Sequence, residues 1–255
     1  MKYKTLFVGV IITIILCSST FLVNAELFDP VIDGQKTAGE WSKANTYQVT
    51  FVDIDTSAEE TGTVYVGRGL SAYHLALEIN YPAGNAQGGT AFAISLAEFE
   101  PHEEQVLDRK IVAYFYNLTT QKWESEAYDQ NEQQGTNISQ NETAIDVEGA
   151  ASTSSSKAFF EMSIPFTQTD TEPYDRHLST RDEIVVVFTH ARSYYNDTEN
   201  LDWAFLGLSR EYKLKINAES AELIIPTPEG ISYHFGILAS LTVVATSFIY
   251  RRRKI

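Results

Sequence analysis

Ala72-Tyr73-His74-Leu75-Ala76-Leu77-Glu78-Ile79-Asn80 is the stretch on which the fold turns. Tyr73, Leu75, Leu77 and Ile79 alternate with Ala72, His74, Ala76, Glu78 and Asn80, one apolar side against one half-polar side. That period of two is the mark of an antiparallel strand with one face on a core. Phe92, Ile94 and Leu96 repeat the pattern after Gly88-Gly89. Further strands are expected at 47–55, 63–67, 110–117, 143–148, 158–165, 183–192, 212–216 and 221–225, in runs rich in Tyr, Phe, Val and Thr. Ser152–Ser156 is read as the turn between two paired strands, and 129–140, rich in Asn and Gln, as a polar loop. Only 98–108 and 169–179 leave room for short helical turns. Many short strands with polar turns predict an all-β fold, a jelly-roll-like antiparallel β-sandwich.

Two apolar segments bracket this domain. Residues 6–17, preceded by Lys2 and Lys4 and followed by Val23-Asn24-Ala25, have the parts of a secretory signal, with cleavage expected after Ala25. Residues 231–250 hold no Asp, Glu, Lys or Arg and are followed by Arg251, Arg252, Arg253 and Lys254. As a helix they reach about 30 Å, the thickness of a hydrocarbon core. The basic cluster is expected on the cytoplasmic side, with the domain outside. The predicted organisation is a signal peptide at 1–25, an ectodomain at 26–226, a linker at 227–230, a C-terminal transmembrane helix at 231–250 and a basic tail at 251–255.

Composition narrows the class. All 34 acidic residues but only 13 of the 19 basic ones lie between the apolar ends. Such a field repels nucleic acid and anionic membrane surfaces. The single cysteine, Cys17, falls in the signal, so no disulfide is expected in the mature domain. Asn117, Asn137, Asn141 and Asn196 open N-x-[ST] sequons, the acceptor pattern for glycosylation on a secreted surface.

Chemical motifs are sparse. Gly67-Arg68-Gly69-Leu70-Ser71-Ala72 fits the spacing of a dinucleotide loop, but a strand follows where that loop needs a helix, so it reads as a turn. Asp53 and Asp55 begin like a calcium loop, yet Ala58 and Val64 stand where an EF-hand needs Gly and Glu; a looser structural calcium site at Asp53 and Asp55 stays open. The histidines show no metal-ligand spacing and no nucleophile or carboxylate pair can be assigned, so no catalysis is expected. The segment 192–205 is richer. Arg192, Tyr194, Tyr195 and Trp203 combine flat apolar faces with polar groups, which is what a sugar ring and its hydroxyls require. Trp203 as a core residue is the competing reading. Trp123 with Tyr128 is a second candidate pair, and Trp41 is read as core.

Val31-Ile32-Asp33-Gly34 followed by Gly39-Glu40-Trp41 resembles the opening of family-9-like carbohydrate-binding modules and their DOMON-like relatives, and Glu161-Met162-Ser163-Ile164-Pro165 resembles a later strand of theirs. The resemblance implies a jelly-roll-like sandwich in extracellular sugar-binding proteins, often with a structural calcium, and implies structural roles for Asp33, Gly34, Glu40, Trp41, Glu161 and Pro165. Related modules bind haem through Met, but Met162 on its strand reads as core. The expected function is a membrane-anchored surface domain binding carbohydrate or an envelope component. A structural or adhesive surface domain without a small-molecule ligand, and a haem-binding electron-transfer module, are the alternatives.

Overall fold

The computed structural model describes residues 28–81, 88–97, 106–133, 138–141, 146–154, 156–167, 183–195, 201–217 and 220–225. The expected signal peptide, linker, transmembrane helix and basic tail lie outside them. No helix among the described residues is long and apolar enough to cross a membrane.

The described chain is all strand and turn. Thirteen strands run β1 (Asn45–Asp53), β2 (Glu59–Arg68), β3 (Ala72–Asn80), β4 (Gly89–Ala97), β5 (Val106–Asn117), β6 (Lys122–Gln133), β7 (Ile138–Asn141), β8 (Glu148–Thr153), β9 (Lys157–Pro165), β10 (Glu183–Tyr195), β11 (Leu201–Leu208), β12 (Tyr212–Ile216) and β13 (Ala221–Ile224). They form one antiparallel sheet in the order β7-β6-β5-β4-β10-β11-β1-β2-β3-β9-β8, with β12 joining β10 to β13. The sheet curls until its ends meet, nearly closing a barrel. β8 lies against β5 and β6, where Ala151 N donates to Ser125 Oγ at 2.7 Å. Gly149 makes that approach possible, since a Cβ there would stand 2.3 Å from Val112 Cγ2.

The alternation in 72–80 does what its period demands. Tyr73, Leu75, Leu77 and Ile79 face the interior with Val49, Phe51, Phe92, Ile94, Phe160, Met162, Phe188 and Leu214. Met162 is fully buried there opposite Leu75, a core position. A second cluster, Ala91, Ala93, Ile111, Ala113, Ala191 and Leu206, fills the outer side of β4, β5 and β10.

Three expectations are corrected. Residues 129–133 belong to β6 and 138–141 to β7, where a loop was expected. Residues 193–195 and 201–203 extend a β10–β11 hairpin beyond the expected strand end at 192. Val106–Asp108 also opens β5, inside a stretch with room for a helical turn. In the first of these backbone pairing to a neighbour outweighs a polar sequence. The Gly67–Ala72 stretch is the expected turn: Gly69 N donates to Ala72 O at 2.8 Å as β2 passes into β3.

Candidate functional site

One end of the curled sheet carries a run of aromatic side chains. Register builds it row by row. Tyr116 on β5 faces Trp123 on β6, and Tyr116 N donates to Gly88 O at 2.9 Å. In the next row Tyr114 faces Thr90, and Thr90 faces Arg192. Residues two apart on a strand share a face, so Tyr114 with Tyr116, and Arg192 with Tyr194, project from the same side as the core residues Val112 and His190. Trp123 stacks nearly parallel on Tyr114, centroids 5.0 Å apart at 9°, and meets Tyr116 edge-on at 5.7 Å. Trp123 keeps 39% of its surface open and Tyr194 37%, so both offer ring surface to a ligand. Gly88 flanks β10 closely: a Cβ there would sit 1.7 Å from Ser193 O.

Polar groups line the same end. The Arg192 guanidinium pairs with Glu60 and lies 5.4 Å over the Phe205 ring. Glu60 also approaches His190 Nδ1 at 3.3 Å, and His190 Nε2 meets Thr90 Oγ1 at 3.1 Å. Complete burial holds the His190 pKa below its ordinary value, despite the pull of Glu60 toward protonation. Burial raises the Tyr81 phenol, with the Arg192 charge opposing that shift. The end thus offers flat apolar rings beside a guanidinium and a carboxylate held in fixed positions.

The sequence-predicted platform is divided by this geometry. Arg192 and Tyr194 belong to the aromatic end. Tyr195 is out of step with them, on the side of Ser193 and Ala191. Trp203 pairs with Ser193, across a bulge after Arg192, while Tyr195 pairs with Leu201; the Trp203 side chain lies outside the described residues. Trp123 and Tyr128 also part, for Tyr128 packs on the outer cluster with Ile111. The partners that sequence reading missed are Tyr114 and Tyr116. Their signal was parity across the β5–β6 hairpin, where Asn117 faces Lys122.

The other named residues have structural places. Asp53 Oδ1 accepts from Asp55 N at 3.1 Å, Thr56 N at 2.8 Å and Thr56 Oγ1 at 2.8 Å, while Oδ2 accepts from Leu206 N at 3.0 Å. These donors hold its carboxyl below the usual range although burial works against them. Asp53 therefore staples its own turn to β11, and Asp55 stands exposed beside it. Among the described residues no three His, Cys, Asp or Glu side chains are grouped to hold a metal ion. Asn117 spends its amide on Glu124 at 2.9 Å and its carbonyl on Thr119 N and Thr120 N. Asn137 and Asn196 lie outside the described residues, as does the side chain of Asn141.

The three motifs behind the family resemblance meet in space. Glu161 Oε1 accepts from Trp41 Nε1 at 2.8 Å, and Oε2 accepts from Gly34 N at 2.7 Å and Asp33 N at 3.2 Å. Glu40 accepts from Val31 N at 2.9 Å and Thr37 N at 3.1 Å. Gly34 takes φ +78°, and a Cβ on it would stand 2.8 Å from the Ala151 backbone. Trp41 is buried against Phe28 and Phe159, a core residue as expected. No protein-family model matches the chain, and no curated protein matches it.

Proposed function

We propose that this protein is a membrane-anchored surface module that binds carbohydrate, without catalysis, at the aromatic end of its sheet. The observation that carries the reading is the Trp123–Tyr114 stack, open on Trp123 and continued by Tyr116, Tyr194 and Arg192. Pyranose rings present C–H faces that pack on aromatic surfaces, and their hydroxyls pair with groups such as Arg192 and Glu60. The meeting of Asp33, Gly34, Trp41 and Glu161 supports the likeness to family-9-like and DOMON-like domains, and with it a jelly-roll-like sandwich. The signal-like start and the apolar run at 231–250 support an outward-facing domain on one C-terminal helix. The charge excess supports a partner that is neither nucleic acid nor anionic lipid. A calcium ion, if the domain uses one, acts in structure rather than in sugar contact.

A glycan array probed with the purified chain tests this. Binding to one glycan class, weakened about tenfold or more by Trp123→Ala or Tyr194→Ala with an unchanged melting temperature, is the expected result; tenfold is about 1.4 kcal/mol. A folded protein that retains no glycan at all would instead favour the adhesive reading.

A further inference from the structure

We propose that Lys110 and Asp129 become joined by an amide cross-link, formed by the folded domain itself from the lysine amine and the aspartate side chain. The two residues are direct cross-strand partners on β5 and β6, both facing the interior. Lys110 Nζ donates to Asp129 Oδ1 and Oδ2, at 2.7 Å each. Equal contacts to both oxygens, with C–O bonds of about 1.23 Å, keep the carboxyl carbon within about 3.1 Å of Nζ. That distance is inside the ~3–3.5 Å needed for attack; the equal contacts set Nζ in the plane of the carboxyl group, so a rotation of the Asp129 carboxyl about its Cβ–Cγ bond is the motion that presents its face to the amine.

The surroundings supply the proton chemistry. Asp146 Oδ1 lies 3.0 Å from Nζ and Asp108 Oδ1 3.1 Å from it, and all four side chains are closed to solvent. Asp146 N also donates to Asp129 Oδ2 at 3.3 Å. Ile94 is the neighbour of Lys110 on β4. The Tyr73 hydroxyl, fully buried and without a hydrogen-bond partner, feels the charges of Asp108, Lys110, Asp146 and Asp129. Burial, with the hydrogen bond shared with the Asp146 carboxyl, pushes the Asp129 carboxyl up to about 8 against the pull of Lys110, toward the protonated form. A protonated carboxyl is an electrophile where a carboxylate is not. Burial pulls the amine down, but Asp108, Asp129 and Asp146 outweigh it and hold the ammonium. The first step is therefore a proton transfer, and because the bond forms once per chain a slow transfer suffices.

The step balances within the cluster. The Lys110 ammonium gives one proton to Asp146. The free amine attacks Cγ of protonated Asp129, and the C–N bond forms as the carbonyl electrons move onto oxygen. Asp108 takes the second amine proton, while Asp146 returns its proton to the Asp129 hydroxyl, which leaves as water. The carbonyl reforms. One amide and one water replace an ammonium and a carboxylic acid, Asp146 ends ionised and Asp108 protonated. General acid and base groups at hydrogen-bond distance are what such a transfer requires. The dry site deprives the reverse reaction of its water. In a chain whose only cysteine is Cys17, such a bond would tie β5 to β6 where a disulfide cannot.

Mass spectrometry of the intact, folded chain and of its tryptic peptides decides the matter. The expected chain is one water lighter than its residues. Trypsin does not cut after Lys110, and the peptide holding Lys110 stays joined to the one holding Asp129. Asp146→Ala or Asp108→Ala restores the full mass or leaves a mixture. Asp129→Asn forms the same link with loss of ammonia in place of water. A folded wild-type chain of full mass, cut after Lys110 once denatured, overturns the proposal and leaves a buried ion pair.

Discussion

Replacing Glu161 by Gln tests the junction on which the first turn, β8 and β9 all depend. The carboxylate is fully buried and accepts three N–H donors, from Trp41, Gly34 and Asp33. An amide of the same shape keeps its one acceptor oxygen on Gly34 N and Asp33 N and turns an NH2 group on the indole, since the opposite placement would strand both backbone donors. One buried donor then loses its acceptor, at about 1–3 kcal/mol, and above the Glu161 pKa, which burial raises to about 7, each of the two remaining bonds loses about 1 kcal/mol of charge assistance, the difference between a charged and a neutral hydrogen bond. A total near 3–5 kcal/mol is expected, a large part of the 5–15 kcal/mol typical of a domain. Trp41→Phe alone keeps the ring contacts with Phe28 and Phe159 but orphans Oε1, and should cost about 1–3 kcal/mol. In the double variant the Gln amide faces a ring instead of a donor while its carbonyl serves Gly34. The two costs should therefore overlap by roughly 1–2 kcal/mol, within the range measured for contacting residues. Urea unfolding followed by circular dichroism gives all four stabilities. If Glu161→Gln stays within about 0.5 kcal/mol of wild type, or the two costs simply add, the junction is not what holds the first turn.

Other positions carry sharper, smaller tests. His74 is buried with both ring nitrogens unpartnered, and desolvation, opposed by Asp29, lowers its pKa from 6.5 to about 4. A lowered histidine favours folding while neutral, so its contribution is complete above pH 6.5 and is lost as pH falls toward 4, about 3 kcal/mol in all. His74→Leu should flatten that acid limb in urea titrations between pH 4 and 7; an unchanged slope would assign the acid sensitivity to other groups, His190 among them. Gly67 leaves room for Phe28, whose ring would lie 2.0 Å from an added Cβ. Gly67→Ala should lower stability by about 1–3 kcal/mol, as overpacking does, and Phe28→Leu in the same chain should recover part of the loss; an unaltered melting temperature in the single variant would show that Phe28 moves aside freely.

The strands that an apolar period reveals were legible, and those that polar residues build were not. Residues 72–80 alternate because one side meets the core, and no other local structure satisfies that pattern. β6 hides because its inward positions are spent on polar work: Ser125 receives Ala151 N, and Asp129 receives Lys110. Hydropathy scores such residues as loop, although each is satisfied only when the strand is in place. The aromatic site hid for a related reason. Tyr194 and Tyr195 are adjacent in sequence, but a strand sends neighbours to opposite sides, so the partners of Tyr194 had to come from Tyr114, Tyr116 and Trp123 across a sheet order that nothing local encodes. The motifs around Asp33, Trp41 and Glu161 were legible as structure, and there they form a hydrogen-bonded junction. What escaped reading was therefore not scattered. β6 carries Trp123 at one end and Asp129 toward the other, so the strand that looked least like a strand holds both the proposed ligand surface and the proposed cross-link. A strand with chemistry on its inner face must look polar, and that polarity is why register, rather than composition, locates both.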